Sequence, residues 1–322
     1  MAAAVCFIAA SPPRMNLTMP AGTAPVVRIS VREGTLIVRT WNRPQVRILS
    51  SDPVQSRSFA PRIVEQALRG DIPIFSTVVR SAHGPIVLPA ESFPLGAILS
   101  TQHQGIFVRA ETDDVVATVP AATALIIANV GHGRIALQNY QAGTFVVRVH
   151  NGQIALRSVS GSGYVEVARG RILASNSSFD RLRARTAMGN LLFTHCDSRE
   201  IEVSSVDGAI AYDDGSFRPG LARFESQYGP IALGVSNASV QIGAHSASGH
   251  IFSDFIRRAD VRGGRNDERA TLGDGGPIVT AASGAAIYLY DGSFSQHGSR
   301  GGPWRPGLAP FKTLRLLQQK FP

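Results

Sequence analysis

Glycine recurs at positions 133, 152, 170, 189, 208, 229 and 249, at intervals of 18 to 21 residues, and each opens the same short phrase. The phrases read "GRIAL", "GQIAL", "GRILA", "GNLLF", "GAIAY", "GPIAL" and "GHIFS". Self-similarity at this period belongs to stacked repeats, in which one unit cannot bury its own apolar face and neighbours bury it for one another.

Alternation within the phrase fixes the kind of unit. Two places after the glycine stand Ile135, Ile154, Ile172, Leu191, Ile210, Ile231 and Ile251, and four places after it Leu137, Leu156, Ala174, Phe193, Tyr212, Leu233 and Ser253. Alternate residues of a strand face the same way, so these files line one interior. The intervening file is mostly polar: Arg134, Gln153, Arg171, Asn190, Ala209, Pro230 and His250. Five places before the glycine lie Val147, Val165, Ala184, Val203 and Phe224, which mark a second inward strand. The expected fold is all-β: a parallel β-solenoid with rungs of about 19 residues, each made of strand, glycine turn, strand and turn.

The pattern weakens toward both ends. "GTLIV" (34–38), "GPIVL" (84–88) and "GIFVR" (105–109) read as earlier rungs, while 50–82 is irregular, with a helical turn expected at 62–69. A charged excursion at 257–276 precedes a last strand group, "PIVTAASGAAIYLY". Three segments follow: a leader or disordered N-terminus at 1–25, one solenoid domain at 26–290, and a Gly/Pro-rich tail at 291–322. In that tail Phe311, Leu314, Leu317 and Phe321 share a helical face suited to capping an open solenoid end. "MAAAVCFIAASPP" resembles the apolar core of a secretory signal without its basic leading region, which favours export. No apolar stretch is long enough to span a bilayer.

Charge adds one preference. The net charge is +9, from 30 arginines and only two lysines, Lys312 and Lys320, against 23 acidic residues. Scattered basic charge of this kind admits an anionic glycan or another cell-surface component as partner. Nucleic acid is not expected, because Tyr164 is the clearest outward aromatic and single strands need several stacking platforms. Oligomeric state is not legible.

Chemistry-bearing clusters have simpler accounts. Glu200 and Glu202 project from one strand face like a glycosidase pair, yet Arg181, Arg183 and Arg223 stand at matching places on neighbouring rungs. Arg148, Glu166 and Arg185 form another alternating file, so these residues read as ion-pair ladders that hold rung register. His195, Cys196 and Asp197 are consecutive, and adjacent residues point apart, so "THCDS" reads as a turn rather than a nucleophilic site. Asp213, Asp214 and Asp291 belong to Asp-Gly turns, and no metal or cofactor is expected.

The phrases "SVREGTLIVRTWNRPQVRI" (30–48), "RSVSGSGYVEV" (157–167), "VSSVDGAIAY" (203–212), "FESQYGPIALGV" (224–235) and "AHSASGHIFSDF" (244–255) resemble a bacterial family of adhesin-like proteins with stacked "toast-rack" β-structure. The likeness spans roughly 26–290 and implies an exported, elongated β-protein; it carries over no catalytic residues. The functional expectation is therefore a non-enzymatic extracytoplasmic rod for surface attachment or envelope scaffolding. The expected contact loops are 213–221 and 291–309, with Phe217, Arg218, Phe294, Trp304 and Arg305 as contact residues. The alternatives are a β-helical polysaccharide lyase or hydrolase and a cytoplasmic polymerising scaffold.

Overall fold

A computed structural model describes residues 15–59, 77–81, 84–88, 105–112, 114–141, 143–237, 239–254, 260–264 and 266–292. The described residues are strands and turns. In chain order the first strands are β1 (Met15–Pro20), β2 (Val26–Trp41), β3 (Gln45–Ser50), β4 (Gln55–Phe59), β5 (Thr77–Ser81), β6 (Gly84–Leu88), β7 (Gly105–Thr112) and β8 (Val115–Pro120). The long central strands are β9 (Leu125–Gln138), β10 (Gly143–Arg157), β11 (Ser160–Ser175) and β12 (Ser178–Thr194). They are followed by β13 (Asp197–Asp207), β14 (Ile210–Phe217), β15 (Leu221–Ser226), β16 (Ile231–Val235), β17 (Val240–Ser246) and β18 (Ile251–Ser253). The last are β19 (Asp260–Gly264), β20 (Asp267–Leu272), β21 (Ile278–Ser283) and β22 (Ile287–Asp291).

The repeat stacks as a parallel β-solenoid. Gly133, Gly152, Gly170 and Gly189 lie in one register column through β9, β10, β11 and β12. Both inward files behave as their periodicity demands. Ile135, Ile154, Ile172, Leu191, Ile210 and Ile231 are fully buried, as are Val147, Val165, Ala184, Val203 and Phe224. Each rung has two arms meeting at the glycine. Six residues later a second corner turns through a left-handed residue: Asn139, Ser158, Asn176, His195 or Asp214, with φ between 50° and 55°. Asn, Asp and His tolerate this region better than other side chains, so polar residues recur there. The parallel ladder continues round that corner through Asn139 N to Arg157 O and Asn176 N to Thr194 O, so the backbone stays paired there as well.

The glycine corner comes in two forms. At Gly34, Gly133, Gly152, Gly170 and Gly189 the chain runs through φ values of 130° to 142°, and the two arms form one continuous strand. A Cβ on Gly170 would lie 1.7 Å from the Gly152 carbonyl oxygen, so each corner leaves no room for a side chain on the next. Further along, the residue three before the glycine changes from Val149 and Val167 to Ser205, Ser226 and Ser246, and the arms become separate strands. Ser226 Oγ donates to Gly208 O at 2.9 Å and accepts from Gly229 N at 3.0 Å. Ser246 repeats the arrangement with Ala285 O and Gly249 N, and Ser283 donates to Gly229 O while accepting from Ala285 N.

Chain order and stacking order part company at both ends. β2 lies between β7–β8 on one side and β9 on the other, with Gly34 opposite Gly133. At the other end β21–β22 stack directly on β15–β16, and β17–β18 stack outside them. Gly249 therefore packs against Ala285 and Ala286 rather than on Gly229, which corrects the sequential stacking expected from the spacing. An interval of 20 residues constrains the height of a rung in the repeat but not which rung it sits on.

Other expectations are corrected as well. β1, within the expected leader, pairs antiparallel with β3. Residues 84–88 pair with β5 in a separate antiparallel hairpin rather than a rung. The excursion at 257–276 contains β19 and β20, and β20 pairs antiparallel with both β19 and β17. Antiparallel strands thus cover both ends of the parallel stack: β3 on β8, β4 on β7, and β20 on β17. This pairing satisfies much of the edge that an end rung would otherwise expose. The helical turn at 62–69 and the C-terminal cap lie outside the described residues, as do most of the leader and most of the tail. Parallel stacking from β7–β8 to β17–β18 spans about 43 Å at ordinary strand spacing.

Candidate functional site

The outer face of the first arm carries ion pairs. Arg181 Nε lies 2.7 Å from Glu200 Oε2, and Arg183 Nη2 lies 2.7 Å from Glu202 Oε2. The ladders therefore form as their register implies, with one exception: Arg223 turns to Glu225 on its own strand. Both glutamates suggestive of a glycosidase pair are held by guanidinium groups one rung away. The third ladder is buried rather than exposed. Arg185 Nη2 meets Glu166 Oε2 at 2.6 Å with both side chains under 10% exposed. Tyr164 donates to the same Glu166 oxygen and lies between Arg148 and Arg185, whose guanidinium carbons are 5.3 and 5.4 Å from its ring centre. Tyr164 is only 1% exposed, so it offers no stacking platform to a nucleic acid. Burial, then the Glu166 charge, raise its pKa well above the usual phenol value.

The turn at "THCDS" is a turn. His195 has φ 51° and its Nε2 is 3.1 Å from Asp214 Oδ2 one rung on. Cys196 is buried, and burial pushes its thiol up to about 12, the opposite of an activated nucleophile. Asp214 occupies the same left-handed corner in the next rung, and Asp213 is 2% exposed. Among the described residues no group of His, Cys, Asp and Glu is disposed to hold a metal ion.

Two expected contact residues belong to the framework. Phe217 is 4% exposed and stacks on Tyr212 with ring centres 4.7 Å apart, and its backbone exchanges two hydrogen bonds with Asn237. The alternation through β14 points it inward, because the first part of the expected loop 213–221 is strand. Arg218 spans neighbouring rungs: Nε is 3.0 Å from Asp197 Oδ2, Nη1 is 3.1 Å from Asp180 Oδ1, and Nη2 donates to Phe179 O. Phe294, Trp304 and Arg305 lie outside the described residues.

The outer face of the second arm differs from the first. One place after the glycine, neighbouring strands carry Arg134, Gln153 and Arg171; five places after it they carry Arg39, Gln138 and Arg157. Ala136 and Ala155 lie between the two rows on β9 and β10. Arg39 Nε donates to Gln138 Oε1 at 3.0 Å. The adjacent phrases "RIALQ" and "QIALR" were the available signal. On later strands the middle file becomes Leu173, Leu192, Ala211, Ala232 and Tyr288, which are buried as a second apolar cluster.

Residues 96–274 of this stacked-rung chain match the family described as Toastrack DUF4097. The chain belongs to the Toastrack family. One solved structure, a "putative cell adhesion protein" from Clostridium sporogenes ATCC 15579, is similar at 9% identity with a TM-score of 0.28, over 87% of this chain and all of that one. No curated protein matches the chain.

Proposed function

We propose that this Toastrack protein is a non-enzymatic, extracytoplasmic rod that works by multivalent contact, as an adhesin-like attachment or envelope scaffold. The observation that carries the reading is the assignment of its reactive-looking groups to structural duty. Glu200 and Glu202 are paired to arginine, Cys196 is buried with a raised pKa, and His195 sits in a corner. Among the described residues, the outer faces of the stacked rungs carry exposed polar and basic side chains, suited to many weak contacts. The antiparallel strands over both ends of the stack weigh against end-to-end polymerisation.

Protease shaving of intact cells, with sequencing of the released peptides and of the mature N-terminus, tests this. Release of the chain without its first residues supports attachment. Protection within a periplasmic fraction retains the scaffold role and removes adhesion, and a cytosolic chain that keeps Met1 removes both.

A further inference from the structure

The arginines on the second arm's outer face have a setting that the first arm's lack. In the first arm, Arg181, Arg183 and Arg185 each face a glutamate on a neighbouring strand. In the second arm, the strand neighbours of Arg171 are Gln153 and Asn190, and those of Arg157 are Gln138 and Ser175. Two Arg–Gln–Arg rows therefore run across the strands, offset by one rung and separated along the strand by Ala136 and Ala155. Arg157 and Arg171 thus stand between neutral strand neighbours, and a basic surface of this kind draws anions toward it.

A second observation is independent of charge. Gln153 sits between Arg134 and Arg171 and is only 6% exposed, yet its side-chain Nε2 has no hydrogen-bond partner. A buried donor without an acceptor costs free energy that an incoming oxygen would recover. The environment of Arg134 agrees: burial and the Arg171 guanidinium lower its pKa, and Asp114 acts in the opposite direction.

We propose that Arg134, Gln153, Arg157 and Arg171 form a binding site for an acidic polysaccharide, with sugar carboxylate or sulfate oxygens bridging the two rows across the alanine floor. Guanidinium forks donate to such oxygens in bidentate fashion, and the Gln153 amide supplies the central donor. Arg134 and Arg171 are two strand spacings apart, about 9.6 Å, so acidic groups recurring along one polymer can meet both. The site deepens the attachment reading by naming a ligand class, but its chemistry does not depend on where the protein resides.

The test uses the full chain with polygalacturonate, dextran sulfate, neutral dextran and inorganic polyphosphate as probes. Polygalacturonate or dextran sulfate is expected to bind, neutral dextran not to bind, and added salt to weaken the complex. The R134Q/R157Q/R171Q variant should lose affinity by about tenfold or more, while R181Q/R199Q/R223Q, which removes the same three charges elsewhere, changes it by less than about threefold. Thermal unfolding checks that both variants remain folded. Equal losses in the two variants would show that net charge alone drives binding and overturn the site. So would binding of polyphosphate without binding of either acidic polysaccharide, or no binding at all. Q153L keeps every charge and should still weaken binding several-fold; unchanged affinity removes the amide from the site. A cytosolic location in the shaving experiment together with intact polysaccharide binding would refute the attachment reading and leave the site standing.

Discussion

The two halves of the solenoid turn the same corner by different chemistry. From Gly34 to Gly189 the corner is a glycine in a backbone region closed to other residues, with valine or threonine three places earlier completing the core. From Ser205 onward a serine hydroxyl takes over, bonding the corner below and, in the rungs at 226, 246 and 283, the amide of its own corner. The first solution stores its specificity in backbone conformation and the second in a side-chain hydrogen bond. The first keeps arms continuous over 14 to 17 residues in β9 to β12, whereas the second splits them.

Gly170→Ala should have the largest effect, because the new methyl meets backbone on the neighbouring rung and the residue is forced to φ 136°. A loss of about 4 kcal/mol or more, read from a urea midpoint, is expected. Gly243→Ala on β17, where a Cβ meets nothing within 4 Å, should stay within about 0.5 kcal/mol. Similar losses at the two sites would break the distinction.

Next in size is Glu166→Gln, just ahead of a first-type corner, which leaves the buried Arg185 without its counter-charge. About 3 kcal/mol is expected from the same titration. Ser226→Ala removes two bonds at a second-type corner and should cost about 1–3 kcal/mol, with amide exchange faster at Gly229 in particular. Uniformly faster exchange across the rung would instead give the serine a general packing role. Smallest is Arg181→Gln: its pair with Glu200 is half exposed, so about 0–1 kcal/mol is expected.

The architecture was legible because glycine and alternation report the corner and the inward files directly. Spacing alone places Ile154 and Val165 inside and sets Arg183 opposite Glu202. The serine corner was also written in the letters, as "SSVDG", "SQYG" and "SASG", but only the hydrogen bonds separate it from the valine form. Rung order was hidden because parallel strands of similar pattern pair equally well with several neighbours; nothing in "GTLIV" names Gly133 as its partner. The acidic-polysaccharide site escaped notice for a related reason. Spacing puts Arg134, Gln153 and Arg171 in one file, but Arg157 joins them as a second row only when β9 and β10 lie side by side.

The insertion of β2 between β7–β8 and β9 has a consequence for synthesis. Arg39 meets Gln138 across 99 residues of chain, and the partners on the other side of β2 also follow it in sequence. At ordinary translation rates of about 5–20 residues per second, β2 waits about 5–20 s on the ribosome before β9 emerges. Throughout that interval a sixteen-residue strand with a fully buried file in the finished protein must be kept from pairing elsewhere.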